Sequence, residues 1–223
     1  MTTINGYEIH SYADLSDADF SGQDLSNLSF YGCNLSGADL SNATCVGCEF
    51  NFANLDGSNL TNTDFTGSSF READLQHSTL NGTNFSKCNF REANLDGLLF
   101  KNVILRETNF FKTCLHGCTM EEVDLDDTRF GGTDLQCCDL SNQDLSACSF
   151  SNVNLFGATL RNVNLRDGFI QSSNLLQIKL SGSVLTNVDL SGCSLIGAVL
   201  ENIDLSEVDL TVLQEYRDNY GVS

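Results

Sequence analysis

The sequence predicts an all-β protein, a four-sided parallel β-helix of about ten coils, and two periodicities support this prediction. Every fifth residue from Leu15 to Leu210 is apolar, which makes 40 consecutive positions. Seven Phe residues recur every 20 residues from Phe30 to Phe150, and ten Leu residues recur every 20 from Leu15. An α-helix would carry a five-residue repeat around its axis, and a straight strand would alternate it between two faces. A chain that turns a corner after each unit buries every fifth residue, and four such units complete one coil.

Each five-residue unit has its own chemistry around the apolar centre. The residue two before the centre is usually small, as at Ala13 and Ala38, and is expected to face inward beside the large centres. The residue just before the centre is commonly Asp or Asn, whose side chain can bond nearby backbone N–H groups and hold a tight turn. The residue two after the centre is often Gly, which tolerates the turn dihedrals.

These units resemble the pentapeptide-repeat motif of a small residue, Asp or Asn, Leu or Phe, Ser, Thr or Arg, and Gly. Residues 38–42 read Ala-Asp-Leu-Ser-Asn, and residues 18–22 read Ala-Asp-Phe-Ser-Gly. The resemblance to the pentapeptide-repeat family extends over residues 13–212. It implies a right-handed quadrilateral β-helix.

The ends of the chain are predicted to cap the exposed edges of the β-helix, which would otherwise invite other chains to stack. We expect one domain, residues 1–223, with an N-terminal cap over residues 1–12 that turns at Asn5-Gly6. The β-helix then covers residues 13–212. Residues 211–214 read Thr-Val-Leu-Gln, a capping box, and predict a short C-terminal helix over 211–220; a frayed tail is the alternative.

The ten Cys residues are expected to be structural thiols, because most occupy inward positions. Cys45 is a centre, and the small inward positions hold Cys33, Cys48, Cys88, Cys118, Cys138, Cys148 and Cys193. Cys45-x-x-Cys48 is spaced like half of a zinc site, but no second pair joins it, so no metal is expected. Cys114 and Cys137 fall at outward positions and are the more reactive candidates. Reduced thiols, with no secretory signal or bilayer-spanning apolar run, favour the cytoplasm.

Catalysis is not expected from this sequence. The three His residues, His10, His77 and His116, have no motif around them and are expected to be solvated. Aspartates stack on adjacent coils, as at Asp19 and Asp39, but they hold the turn-making position. No Gly-rich phosphate loop, nucleophile motif or concave pocket is evident, so we expect neither an enzyme nor a cofactor site.

The surface charge is strongly negative and unevenly placed. Eleven Lys and Arg against 30 Asp and Glu give 11 − 30 = −19. The side centred on the all-Leu column, here called the Leu face, has no Lys or Arg. Six aspartates lie on the Leu face, and together they form the surface here called the acidic face: Asp14, Asp17, Asp56, Asp74, Asp96 and Asp134. Such a surface repels nucleic acid and membranes and attracts basic partners.

An apolar strip is predicted near the C-terminal end of the same side. Phe156, Leu176 and Ile196 occupy one outward position on successive coils, with Val199 nearby. Contiguous exposed apolar strips mark interfaces more often than isolated residues do. We expect a homodimer or partner contact here, unless the C-terminal helix covers the strip.

The sequence therefore favours a protein that acts by presenting a patterned surface to a protein partner. The pentapeptide-repeat family includes DNA mimics that occupy the DNA-binding saddle of DNA gyrase. The resemblance in rod shape, acidity and lack of catalytic groups makes a topoisomerase such as gyrase the most concrete partner. The alternative is a structural or regulatory adaptor with another partner, because the motif itself wants Asp before each centre and 13 Asp and Glu49 sit there.

Overall fold

The computed structural model describes residues 2–203 and Val208, and within them the chain winds as a four-sided parallel β-helix. Parallel bridges join most units to the unit 20 residues later, from Asp14–Asn34 to Lys179–Val199. Within the described residues they are missing between Thr79 and Leu99 and between Asp124 and Asp144. The short extended segments qualify as strands at few places. These are β1 (Thr2–Ile4), β2 (Tyr7–Ile9), β3 (Leu99–Lys101), β4 (Thr119–Glu121), β5 (Ser149–Ser151) and β6 (Phe169–Gln171).

The N-terminal segment forms a hairpin where the sequence predicted a cap. Strands β1 and β2 pair antiparallel, with Thr2 opposite Ile9. Ile9 is buried, and Ile4 and Tyr7 pack against the core. Strands β3–β4 and β5–β6 pair parallel between successive coils. The predicted C-terminal helix over 211–220 lies outside the described residues.

The core is a set of stacked columns, as the 20-residue periodicity predicted. Rings of the Phe column from Phe30 to Phe150 lie nearly parallel, with centroids 4.8 Å apart for Phe30 and Phe50 and 5.4 Å apart for Phe110 and Phe130. This separation matches the spacing between neighbouring strands. The eight Cys residues predicted to face inward are buried, and Cys114 and Cys137 are exposed, which confirms their predicted placement.

Side chains of the repeating units form hydrogen bonds with backbone N–H and C=O groups at the turns and in the core. The Asp or Asn before a centre accepts from the backbone N–H two residues later, as Asp19 does from Ser21 at 2.9 Å. Inward hydroxyls donate to a carbonyl of the previous coil: Thr63 Oγ1 lies 2.7 Å from the Leu40 oxygen. Most buried polar side chains therefore have partners, but Ser58 Oγ is buried and forms no hydrogen bond.

One side of the rod contains a seam that the sequence did not predict. Among the described residues, no backbone hydrogen bond joins residues 122–127 to residues 141–147, whereas Leu105 N donates to the Asp124 oxygen at 2.7 Å one coil earlier. Gln143 fills a small inward position there, and its Nε2 donates to the Met120 oxygen at 3.1 Å. Its Oε1 accepts from Val123 N at 3.3 Å. An open cleft of about 450 Å³ lies between the separated coils; it corrects the expectation that the rod has no concave pocket.

We expect Gln143→Thr to close this seam. Thr63 and Thr83 hold the same position on earlier coils and bond the same type of carbonyl with a shorter side chain. The restored ladder should raise the free energy of unfolding by about 1–3 kcal/mol and slow amide exchange at Leu125 and Asp127. Denaturant unfolding and hydrogen exchange measure both; amides that are already protected in the parent protein would contradict the seam.

Candidate interaction surfaces

The structure divides the aspartates of the acidic face into two groups. Asp14, Asp74 and Asp134 stand just before their centres and hold turns. Asp14 Oδ1 accepts from Ser16 N at 3.2 Å, and Asp134 Oδ1 accepts from Gln136 N at 3.1 Å. These three carboxylates stabilise turns in addition to contributing negative charge.

Asp17, Asp56 and Asp96 stand after their centres, at the corner of the rod, and do not hold the turn of their own unit. Asp96 Oδ1 accepts from His116 N on the next coil at 2.8 Å. His77 Nδ1 lies 2.8 Å from Asp56 Oδ1. The side chain of His77 is 79% exposed, as predicted for a solvated histidine, and its pairing with Asp56 adds a contact that the sequence did not predict.

No Lys or Arg compensates the acidic face within the described part of the chain. Cross-coil ion pairs occur on other sides of the rod, between Lys101 and Glu121 at 3.1 Å and between Lys87 and Glu107 at 3.6 Å. His77 is the only side chain that forms an ion pair with an aspartate of the acidic face among the described residues. The face therefore presents an uncompensated negative field.

The carboxylates that hold turns give the fold a dependence on pH. A hydrogen bond from the Ser16 side chain, with a second from its backbone, lowers the pKa of Asp14, and Ser146 lowers the pKa of Asp144 in the same way. Because these pKa values are lowered in the folded state, the stabilisation is present above the unfolded pKa of 3.8 and is lost as pH falls through the folded pKa.

We therefore expect the unfolding temperature to fall between about pH 5 and pH 2, and Ser16→Ala with Ser146→Ala to flatten this decrease. Thermal unfolding followed by circular dichroism at each pH measures the slope. Ser36→Ala with Ser86→Ala is the matched control, because these hydroxyls make the same bond to Asn34 and Asn84, which do not titrate. An equal flattening by the control pair would refute the assignment.

The predicted apolar strip is outward-facing and in register. Gly157 N donates to the Leu176 oxygen and Gln177 N to the Ile196 oxygen, each at 2.9 Å, which sets the side chains of Phe156, Leu176 and Ile196 on successive coils. Ile196 is 42% exposed and Val199 36% exposed. Phe156 and Leu176 are half-buried. The strip continues the Leu face beyond the last aspartate of the acidic face.

The described residues contain no group of three His, Cys, Asp or Glu side chains placed to hold a metal ion. Burial raises the pKa of Cys148 to about 12, so this thiol stays protonated and unreactive. Nor does this part of the chain include a helix long and apolar enough to cross a bilayer.

Models of protein families match the sequence over most of its length. The model described as a pentapeptide repeat region matches residues 53–130. The model described as pentapeptide repeats in eight copies matches residues 13–44, 33–71, 124–162 and 173–211. No curated protein matches the sequence significantly.

Solved structures with the same architecture include QnrB1, a plasmid-mediated fluoroquinolone resistance protein. A trypsin-treated variant of QnrB1 is 20% identical, with 91% of this chain and 99% of that chain covered and a TM-score of 0.62. HetL, a pentapeptide repeat protein involved in heterocyst differentiation regulation from Nostoc sp. strain PCC 7120, is 25% identical, with 87% and 88% covered and a TM-score of 0.26. The likeness to QnrB1 establishes a shared fold.

Proposed function

This chain belongs to the pentapeptide-repeat family of right-handed quadrilateral β-helices, and from that premise we propose that it acts without catalysis, by presenting its surface to a protein partner. The most concrete partner is a topoisomerase such as DNA gyrase, whose DNA-binding surface the rod would occupy in place of DNA. The observation that carries this proposal is the acidic face, which is uncompensated by Lys or Arg along the described rod.

The spacing of the carboxylates on the acidic face is comparable to the spacing of phosphates that a DNA-binding surface contacts. Its six carboxylates extend from the coil of Asp14 to that of Asp134, six coils later. At roughly 4.8 Å per coil they span about 29 Å, a mean spacing of about 6 Å, against about one phosphate per 3.4 Å along each DNA strand. Carboxylates on five of these seven coils can take over basic contacts that normally bind phosphates.

The test is the effect of the purified protein on gyrase. We expect it to inhibit DNA supercoiling by gyrase, or to protect gyrase from a quinolone. An absence of both effects at tens of micromolar would remove gyrase as the partner.

A structural or regulatory adaptor with another protein partner is the second candidate. The observation in its favour is that Asp14, Asp74 and Asp134 hold turns, so part of the acidity follows from the fold. Binding to a basic protein other than a topoisomerase would support this candidate. In both cases we propose a cytoplasmic protein, because its ten thiols are free.

We also propose that the apolar strip joins two copies of the chain. A flat strip on the side of a rod can pair with itself around a two-fold axis. Phe156→Asp with Leu176→Asp should abolish self-association in sedimentation experiments and leave folding intact. Leu99→Asp with Ile104→Asp is the control, since these exposed apolar residues lie on other sides of the rod. If the parent protein is monomeric in the same sedimentation experiments, the proposed dimer is wrong.

A further inference from the structure

A second surface, on the side of the rod centred on the Phe column, carries most of the exposed aromatic residues. It consists of one outward side chain per coil over six successive coils, and we call it the aromatic–basic strip: Tyr12, Tyr31, Phe52, Arg71, Arg91 and Phe111. Backbone bonds fix its register, as Tyr12 N donates to the Tyr31 oxygen at 2.9 Å and Phe52 N to the Arg71 oxygen at 2.8 Å. The strip runs around the corner from the acidic face.

The aromatic side chains of the strip are not required by the fold. Tyr12 is 70% exposed and Phe52 45% exposed, so neither fills the core. Both have positive φ, 63° and 60°, at a position that most often holds Gly or Asn along the rod. A bulky residue is disfavoured in this left-handed region. Exposed aromatic residues that stand outside the core, at a position that disfavours bulky side chains, point to a functional surface.

Positive charge is concentrated at the C-terminal end of the strip and one coil beyond it. The units centred on Phe70, Phe90, Phe110 and Phe130 carry four cations and two anions, 4 − 2 = +2, against −19 for the whole chain. The units of Tyr12, Tyr31 and Phe52 carry Glu8 and Glu49 and no Lys or Arg. Arg91 pairs with Glu92 at 3.1 Å. Arg71, Lys112 and Arg129 form no ion pair within the described residues, as is also the case for Arg161 and Arg166 on other sides.

The relative orientation of the aromatic rings in the strip favours apolar side chains over stacked nucleobases as ligands. Tyr12 and Tyr31 meet edge to face, with centroids 5.6 Å apart and planes at 86°, and Tyr31 and Phe52 are tilted by 59°. The ring of Phe111 is covered by Arg91 at 5.3 Å and by Lys112 at 5.6 Å. Successive nucleobases need parallel, open ring faces on which to stack, and the strip does not offer them. Irregular apolar side chains pack well against tilted rings.

We propose that the aromatic–basic strip binds an acidic polypeptide segment that carries aromatic or aliphatic side chains. The three aromatic residues at its N-terminal end contact the apolar side chains, and Arg71 and Arg91 pair with the carboxylates. Tyr, Phe and Arg are the residue types enriched at protein interfaces. At roughly 4.8 Å per coil the strip is about 24 Å long, which suits about seven residues of extended chain. The protein would thus join a basic partner on one face to an acidic segment on another.

A random copolymer of Glu and Tyr is the probe, and poly-Glu and a single-stranded oligothymidylate are its comparisons. We expect the full chain to bind the copolymer at least tenfold more tightly than poly-Glu. Arg71→Glu with Arg91→Glu should weaken that binding at least tenfold, and Tyr31→Ser with Phe52→Ser should remove the preference for the copolymer. The matched control, Arg161→Glu with Arg166→Glu on other sides, should change binding less than twofold.

Equal affinity for poly-Glu and the copolymer, tighter binding of the oligothymidylate, or no binding at tens of micromolar would overturn the proposal. Circular dichroism of each variant checks folding, and the arginine variant tests the strip even where the aromatic variant fails to fold. Substitution of Asp17, Asp56 and Asp96 by Asn leaves copolymer binding unchanged, so this proposal and the gyrase proposal fail separately.

Discussion

Phe70→Ala is expected to lower the free energy of unfolding by about 3–5 kcal/mol. Phe70 is fully buried and lies where two aromatic stacks meet. It stacks on Phe50 and Phe90 at centroid distances of 4.9 Å and 4.8 Å. It also meets Phe65 and Phe85 edge to face at 5.1 Å and 5.7 Å. The substitution leaves a cavity that neighbouring coils cannot close, because the backbone ladder fixes their spacing.

Denaturant unfolding followed by circular dichroism measures this loss. Phe52→Ala is the control, because that ring lies on the outside of the same region and should cost less than about 1 kcal/mol. A loss below about 1 kcal/mol for Phe70→Ala would contradict the packed aromatic core. Hydrogen exchange should place the weakened amides in the coils beside Phe70, since each repeat contacts only its neighbours.

Charge reversal at the corner of the acidic face is expected to abolish inhibition of gyrase. Asp17→Lys, Asp56→Lys and Asp96→Lys place cations against a basic partner surface, and like charges at an interface cost several kcal/mol. The concentration for half-inhibition of supercoiling should rise by about 100-fold or more, which corresponds to about 2.7 kcal/mol. These aspartates do not hold the turns of their own units, so the fold should survive.

The control has the same change of charge elsewhere on the rod. Glu122→Lys, Asp127→Lys and Asp167→Lys replace exposed acids on other sides. If this triple variant loses inhibition as fully as the acidic-face variant, the overall charge rather than the acidic face would carry the effect. The corresponding Asp→Asn variant of the acidic face should lie between, with roughly a tenfold loss.

The fold could be predicted from the sequence because every unit repeats one requirement. A centre that slipped by one residue would point outward, so the unbroken five-residue period from Leu15 leaves no other arrangement that buries all the centres. The 20-residue Phe column then fixes the number of units per coil. The small inward position predicted which thiols are buried for the same reason, and Cys114 and Cys137 were correctly placed outside.

The seam and the paired histidine could not be predicted in this way. Gln143 stands at a position where a small residue such as Ala, Cys or Thr is usual. Only the folded structure shows that its amide lies between the coils and replaces ladder bonds. The His77–Asp56 pair joins positions 21 residues apart, and the 20-residue periodicity aligns only positions that are 20 residues apart. The aromatic–basic strip uses two outward positions, one after the centre at Tyr31 and two after the centre at Phe52, so its continuity appears only on the folded rod.

The proposed role of the acidic face is to take the place of DNA on a basic protein surface. The most direct measurement is the fluorescence anisotropy of a labelled DNA duplex bound to gyrase, with the protein added at increasing concentration and at several salt concentrations. We expect the duplex to be fully displaced, and the apparent affinity of the protein for gyrase to fall as salt rises. A complex that holds the duplex and the protein together, or displacement that is independent of salt, would contradict the claim.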